Sequence, residues 1–244
     1  MNLIIDIGNT RVKTAVMQDG SVVAQHSVER LDWRWLDQLI DRYGDIAQAI
    51  VCSTREDATP LAEHLRRRLP TVVDFRPAVT PTPLANHYAT PETLGADRLA
   101  AAVGAAATYP GRDLLIVDFG TAITVDLVEG GAYKGGNISP GVKMRFRALH
   151  DYTARLPLAD ATDHQMRLGD TTLSAIEQGV MQGVTNEIEG YMRAFSEKND
   201  KISTIFTGGD AKYFVKRIKN AIFADCELVV CGLNRILDYN ADKD

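Results

Sequence analysis

One pattern, written twice, constrains this chain more than any other. Leu3-Ile4-Ile5 is an apolar run that delivers Asp6 at its end, and Gly8, Asn9 and Thr10 follow before Lys13. Leu114-Leu115-Ile116-Val117 is again apolar, and Asp118, Gly120 and Thr121 follow it as Asp6, Gly8 and Asn9 follow the first run. Each copy reads as a buried strand that breaks into a tight turn. There a carboxylate, small polar groups and backbone N–H donors gather around a place suited to a phosphate. The match loosens beyond that point, with Ala122 in the place of Thr10 and Val125 in that of Lys13, so it rests on Asp-x-Gly followed by a small polar residue. The repeat favours two lobes, 1–113 and 114–244, and a chain of 244 residues is long enough to give each its own core.

Composition narrows the partners. Hydrophobic residues make up 45% and charged residues 24%, which argues for a soluble globular protein and against disorder. A net charge of −5 gives no reason to propose nucleic acid or an anionic membrane. Cys52, Cys226 and Cys231 are odd in number and mostly set among apolar residues, as buried thiols of a reduced compartment are. The five histidines are scattered and no Cys/His zinc spacing occurs, which argues against a histidine metal cluster. Asp6 and Asn9 interrupt the first apolar stretch, so it does not read as a secretory leader. Leu99 to Tyr109 falls well short of the roughly 20 residues that span a bilayer. The expected location is the cytoplasm, with no membrane partner.

Taken in order, the chain alternates strands and helices. Thr14 to Met17 is extended, Asp19-Gly20 is a hairpin signal and Ser21 to Val28 returns. Trp35, Leu36, Leu39, Ile40 and Tyr43 share one side of a helix capped by Asp32 and stopped near Gly44. Ala47 to Cys52 and Val72 to Phe75 read as strands around a helix from Pro60 to Leu69, and the prolines from Pro77 to Pro91 argue for a loop. Alanine-rich Leu99 to Tyr109 predicts a helix, which puts Asp97 in or just before its first turn. Unpaired N–H groups there favour the ionised carboxylate, so Asp97 could accept a proton. It could equally serve only as a cap, and these residues alone leave both readings open.

The second half opens with the strand ending at Asp118. Val125 to Val128 is extended, Glu129-Gly130-Gly131 turns, and Ala132 to Lys134 begins a return. Gly135 to Gly141 permits unusual backbone geometry or close approach, or is equally an ordinary connection, and Lys143 to Leu149 is helical. Asp160 to Gly169 reads as an exposed loop before a long helix capped among Asp170, Thr171 and Thr172, with Ile176, Val180, Val184 and Ile188 on its apolar side. Ile202 to Phe206 is a strand, Thr207-Gly208-Gly209-Asp210 turns into a helix running through Ile218, Glu227 to Cys231 is a strand, and Leu233 to Tyr239 is a last short helix before a charged, frayed tail. Two Asp-x-Gly turns and a late Thr-Gly-Gly turn together suggest a duplicated α/β fold that grips a nucleotide. Neither a P-loop nor a dinucleotide-binding glycine motif occurs at these sites.

Asp6-Ile7-Gly8-Asn9-Thr10-Arg11-Val12-Lys13, Gly95-Ala96-Asp97-Arg98, Asp118-Phe119-Gly120-Thr121-Ala122, Gly135 to Gly141 and Thr207-Gly208-Gly209 closely resemble the motifs of type III pantothenate kinases, in the family's order. The resemblance implies two ribonuclease H-like lobes of the acetate and sugar kinase, Hsp70 and actin superfamily, usually as a homodimer. It implies transfer of the ATP γ-phosphoryl group to pantothenate, the first committed step of coenzyme A synthesis. By similarity, Asp6, Ile7, Gly8, Asn9, Thr10, Arg11, Val12 and Lys13 form the first phosphate loop, Thr121 contacts ATP, and Gly208 and Gly209 lie beside the adenosine. Tyr88, Gly95, Ala96, Asp97, Arg98 and Thr172 match the pantothenate site, with Asp97 the proton acceptor. Asp118 matches a monovalent-cation ligand, for potassium or ammonium, and magnesium would bridge the ATP phosphates near Asp6 through water. The runner-up is a non-catalytic accessory or regulatory protein of the same fold, and a third reading is an actin- or Hsp70-like ATPase.

Overall fold

The computed structural model describes residues 1–165, 168–224 and 227–241. Its first strand, β1 (Asn2–Ile7), is buried from Leu3 onward and lies at the centre of a sheet. A hairpin through Asp19 and Gly20, both at positive φ, joins β2 (Val12–Gln18) to β3 (Ser21–Val28). The parallel strands β4 (Gln48–Ser53) and β5 (Thr71–Asp74) complete the order β3-β2-β1-β4-β5. The helices α1 (Trp33–Arg42) and α2 (Thr59–Arg66) cover one face, where Leu3, Ile5, Ile7, Val12 and Val51 meet Leu36, Leu39, Leu61 and Leu65. Each such fully buried aliphatic side chain contributes roughly 1.5–3 kcal/mol. Asp32 caps α1 by accepting from Arg34 N at 2.9 Å.

The other face belongs to α3 (Ala96–Thr108) and α7 (Leu228–Ala241), which pack on each other and against β4; α7 also meets β1. A Cβ on Gly104 would collide with the Leu228 carbonyl, and one on Gly232 with the Ala100 carbonyl. The two backbones therefore touch, which only glycine and the alanine run of α3 permit. This contact corrects the expected strand at Glu227 to Cys231: residues 228–231 are helical, because packing on α3 outweighs the β propensity of Leu-Val-Val. Cys226 and residues 242–244 lie outside the described residues, and Asn240 is still helical.

The second sheet repeats the first. The strands β7 (Leu114–Phe119), β8 (Ala122–Glu129) and β9 (Ala132–Pro140) form the meander, and β10 (Ser203–Thr207) and β11 (Ala221–Phe223) run parallel to β7, in the order β11-β10-β7-β8-β9. Read from the other edge this is the order of the first sheet, so both are ribonuclease H-like. The helices α4 (Val142–Asp151) and α5 (Thr172–Ser196) bury Phe146, Ile176, Val180, Val184 and Ile188 against Val117, Phe119 and Val125. A capping box of Thr171 and Ser174 starts α5. Arg145 of α4 donates to Pro140 O at 2.7 Å and to Glu187 of α5 at 2.5 Å, tying strand and helices together.

Several local expectations are corrected. The stretch 135–140 is strand, not loop, and the short β11 was not anticipated. The helix after Gly209, α6 (Ala211–Phe214), stops four residues short of Ile218. In the proline-rich connection Ala85–Asn86 forms β6, paired with Ala132 and Tyr133, and Pro91–Thr93 makes a 3-10 turn. Met166 and Arg167, within the expected exposed loop, lie outside the described residues.

The chain forms two compact units, Met1–Gly111 with Gly131–Lys134 and Cys226–Asp244, and Arg112–Gly130 with Gly135–Asp225. Helix α7 belongs to the first unit because it packs on α3.

Candidate active site

In the first unit, strand register builds a row of three side chains. Asp6 of β1 is opposite Lys13 of β2 and level with Cys52 of β4. Paired residues share a sheet face. Their neighbours Ile5, Ile7, Val12 and Val51 point into the α1/α2 core, so Lys13, Asp6 and Cys52 point to the side of α3 and α7. Those helices bring two more carboxylates. Asp97 lies in the first turn of α3, and Glu227 immediately precedes α7 and pairs with Lys13 Nζ at 3.0 Å.

Asp6 is only 8% exposed. Burial pushes its carboxyl up to about 6; a hydrogen bond from Cys52 opposes the rise, the Asp97 charge adds to it, Lys13 opposes it and Glu227 adds to it. The Cys52 thiol, itself pushed up by burial and by the Asp6 charge, stays protonated and donates to Asp6 Oδ1 at 3.3 Å. Two of these neighbours, Cys52 and Glu227, were not among the residues expected from the sequence. Cys52 could have been found by aligning the ends of the two strands, whereas Glu227 gave no signal inside a stretch read as strand.

The turn after β1 is closed by Gly8 N donating to Arg11 O at 3.0 Å, and Asn9 and Thr10 are exposed on it. Not every loop residue turns its side chain to this place. Ile7 and Val12 are in the α1/α2 core, and the Arg11 guanidinium donates to the Ser27 hydroxyl at 2.6 Å and to the Ser27 carbonyl at 2.7 Å.

At the start of α3, Asp97 Oδ1 accepts from Arg98 N at 2.8 Å and lies over Gly95, where a Cβ would come within 2.7 Å of it. Arg98 is buried at 6% exposure, with its guanidinium carbon 5.7 Å from the centre of the Tyr88 ring. Tyr88 in turn packs near Tyr133, and its N–H donates to Asn86 Oδ1 at 3.0 Å. Tyr88, Arg98, Asp97, Ala96 and Gly95 are therefore one local group. A cavity of about 760 Å³ is lined by Gly95 and Ala96 together with Arg55, Asp57, Arg76 and Val79.

The second unit carries the matching row. Asp118 of β7 is opposite Thr124 of β8 and level with Thr207 of β10, while their neighbours Val117, Phe119, Ile123, Val125 and Phe206 face the α4/α5 core. Gly208, at φ +95°, brings the turn after β10 so close to Asp118 that a Cβ there would strike Asp118 Oδ1. Thr121 accepts through its carbonyl from Gly141 N at 3.1 Å, which ties the turn after β7 to the end of β9. Gly209 follows Gly208 in the same turn, and Thr172 is exposed as the first residue of α5.

Among the described residues no three of His, Cys, Asp and Glu are gathered closely enough to hold a metal ion directly. A magnesium ion held mainly by phosphates and water, touching Asp6 through a water, is compatible with that donor set. Among the described residues, too, no helix is long and apolar enough to cross a membrane.

The solved structures that resemble this chain include a candidate Baf-family transcriptional activator from Campylobacter jejuni, with a TM-score of 0.62 at 22% identity over 98% of this chain and 99% of that one. Another is the activator of the 2-hydroxyisocaproyl-CoA dehydratase from Clostridium difficile with bound ADPNP, with a TM-score of 0.55 at 12% identity over 99% and 96%. Candidate sugar kinases are among the further matches, and the likeness to all of these is one of fold. In sequence, the chain is 44% identical over 243 residues to the type III pantothenate kinase of Bacteroides fragilis, and 41% identical over 245 residues to that of Phocaeicola vulgatus, covering 98% of this chain in each case and 98% and 99% of the relatives. Residues 2–194 match the model of the type III pantothenate kinase family, and the chain belongs to that family.

Proposed function

We propose that this protein transfers the γ-phosphoryl group of ATP to the primary hydroxyl of pantothenate, producing phosphopantothenate for coenzyme A synthesis. The observation that carries the reading is Asp97 in the first turn of α3, on the sheet face to which Asp6 and Lys13 point. Phosphoryl transfer passes through a loose transition state, so positioning and charge neutralisation matter more than strong deprotonation. Asp97 orients the substrate hydroxyl and takes its proton late. The N–H of Arg98 bonded to its Oδ1 fixes the orientation of the carboxylate.

Arg98, stacked near Tyr88, pairs with the pantothenate carboxylate through its planar fork. Tyr88, Gly95 and Ala96 line the acceptor. The turn from Asp6 to Lys13 holds phosphate, with side chains at Asn9, Thr10 and Lys13. Thr121 contacts ATP, Gly208 and Gly209 lie beside the adenosine, and Asp118 takes potassium or ammonium. Magnesium, held by the phosphates and reached from Asp6 through water, neutralises phosphate charge when bound. The enzyme acts in the cytoplasm as a homodimer. No observation favours the accessory-protein or ATPase readings.

The test is ATP-dependent formation of phosphopantothenate, with and without potassium. Absence of product from well-folded protein would defeat the proposal, and ATP hydrolysis without pantothenate would favour an ATPase. Asp97→Asn is expected to keep the fold and nucleotide binding while turnover drops roughly 10²- to 10⁴-fold. Near-normal turnover would reject Asp97 as the base.

A further inference from the structure

We infer that Glu227 is a positioning residue for Lys13, holding the lysine ammonium ready for the nucleotide phosphates. The inference rests on the role of Lys13 given under Proposed function. Its geometry comes from one contact between residues 214 positions apart: Glu227 Oε1 meets Lys13 Nζ at 3.0 Å. Lys13 is at the end of the phosphate turn, level with Asp6. Glu227 is set by α7, whose backbone is pressed onto α3 at Gly104 and Gly232, so the carboxylate is carried by a packed helix start.

Two features separate this pair from an ordinary surface ion pair, which contributes little. First, although the Lys13 and Glu227 side chains are 34% and 41% exposed, Glu227 Oε2 itself is buried without a hydrogen-bond partner. A carboxylate oxygen kept from water without a partner is costly and is not what a solvated clamp would adopt. Second, Glu227 is one of the charges that act on Asp6, so the pair is inside the electrostatic surroundings of the phosphate turn. A lysine has a flexible four-carbon stem and loses much rotamer freedom when it grips a phosphate. Pairing with Glu227 in the free protein removes part of that freedom beforehand. The ammonium is one atom group with three donors, so it can turn toward phosphate without leaving Glu227.

The experiment measures the dissociation constant for a non-hydrolysable ATP analogue with magnesium, and KM for each substrate. The proteins are wild type, Glu227→Ala, Glu227→Gln, Lys13→Met and the double variant Lys13→Met/Glu227→Ala. Glu227→Ala is expected to weaken analogue binding and raise KM for ATP by roughly three- to tenfold, leaving KM for pantothenate within about twofold. Glu227→Gln keeps an acceptor for Lys13 and recovers most of the loss. It also carries the test if the alanine variant does not fold. In the Lys13→Met background Glu227→Ala should change nothing further. Unchanged or tighter analogue binding would overturn the inference, the latter because Glu227 would then compete with phosphate. An equal loss with and without Lys13 would overturn it too, by making Glu227 merely structural. Analogue binding does not depend on the acceptor, so failure here is distinct from failure of wild type to phosphorylate pantothenate.

Discussion

Replacing Asp6 by asparagine should make the first unit more stable at neutral pH. In the native state the carboxyl is pushed up to about 6 from 3.8, by burial first and by its charged neighbours after that. A rise of about 2 units corresponds to about 3 kcal/mol between the two protonation states. The sign follows from proton counting. Between pH 4 and pH 6 the folded protein holds a proton on Asp6 that the unfolded chain has released, so this residue's contribution to stability is complete below about pH 4 and is lost as pH rises through about 6. The asparagine side chain cannot ionise, and its oxygen still accepts from the Cys52 thiol. The stability of Asp6→Asn minus that of wild type should therefore climb by about 2.5 kcal/mol from pH 4 to pH 7.5, while titration of groups not coupled to Asp6 cancels in the difference. Urea unfolding in EDTA, without nucleotide, measures it. Both tryptophans, Trp33 and Trp35, belong to α1, so their fluorescence reports the first unit. A difference that stays flat across this range, or falls with pH, would refute the reasoning.

Glycine contacts supply two further tests. Gly208→Ala puts a methyl group against Asp118 Oδ1 at φ +95°, a conformation costing roughly 1–2 kcal/mol for other residues, so calorimetric affinity for an ATP analogue should fall about tenfold or more with far-UV circular dichroism retained; unchanged affinity would contradict the tight fit. Gly232→Ala forces α7 away from the Ala100 carbonyl of α3, and a melting temperature lower by roughly 5 °C or more is expected, where no change would mean that the two backbones do not touch.

Much of the fold could be read locally because local chemistry decides it. Asp19-Gly20 turns the first hairpin, Asp32 caps α1, and the apolar spacing of Ile176, Val180, Val184 and Ile188 lays α5 on its sheet. The failures share a cause: tertiary contact decided them. Leu228-Val229-Val230 has the composition of a strand, and only the pairing of Gly232 with α3 makes it helix. The glycines from 135 to 141 left close approach and an ordinary connection equally open, and tertiary pairing decides for the first: Gly136 is in β9, where a Cβ would meet the Val125 carbonyl of β8. The site divides in the same way. Asp6, Asp97 and Asp118 announce themselves by their turns and helix start, whereas Cys52 depends on the register of β4 with β1 and Glu227 on where α7 begins.

The two copies of the Asp-x-Gly pattern occupy equivalent places in equivalent sheets and have taken different chemistry there. Register gives Lys13, Asp6 and Cys52 in the first copy, and Thr124, Asp118 and Thr207 in the second. The first row surrounds its aspartate with side chains: a thiol that donates to it, and an ammonium fastened to a further carboxylate. The second surrounds its aspartate with hydroxyl-bearing residues and with the bare backbone of Gly208. A buried carboxylate among other carboxylates is a costly arrangement, and the raised Asp6 carboxyl records that cost. A cation would lower it, and an uncompensated anion would add to it. An anion beside the first row is thus favoured only when a cation accompanies it. Duplication supplied the geometry twice, and the residues at three register positions decide what each copy can hold.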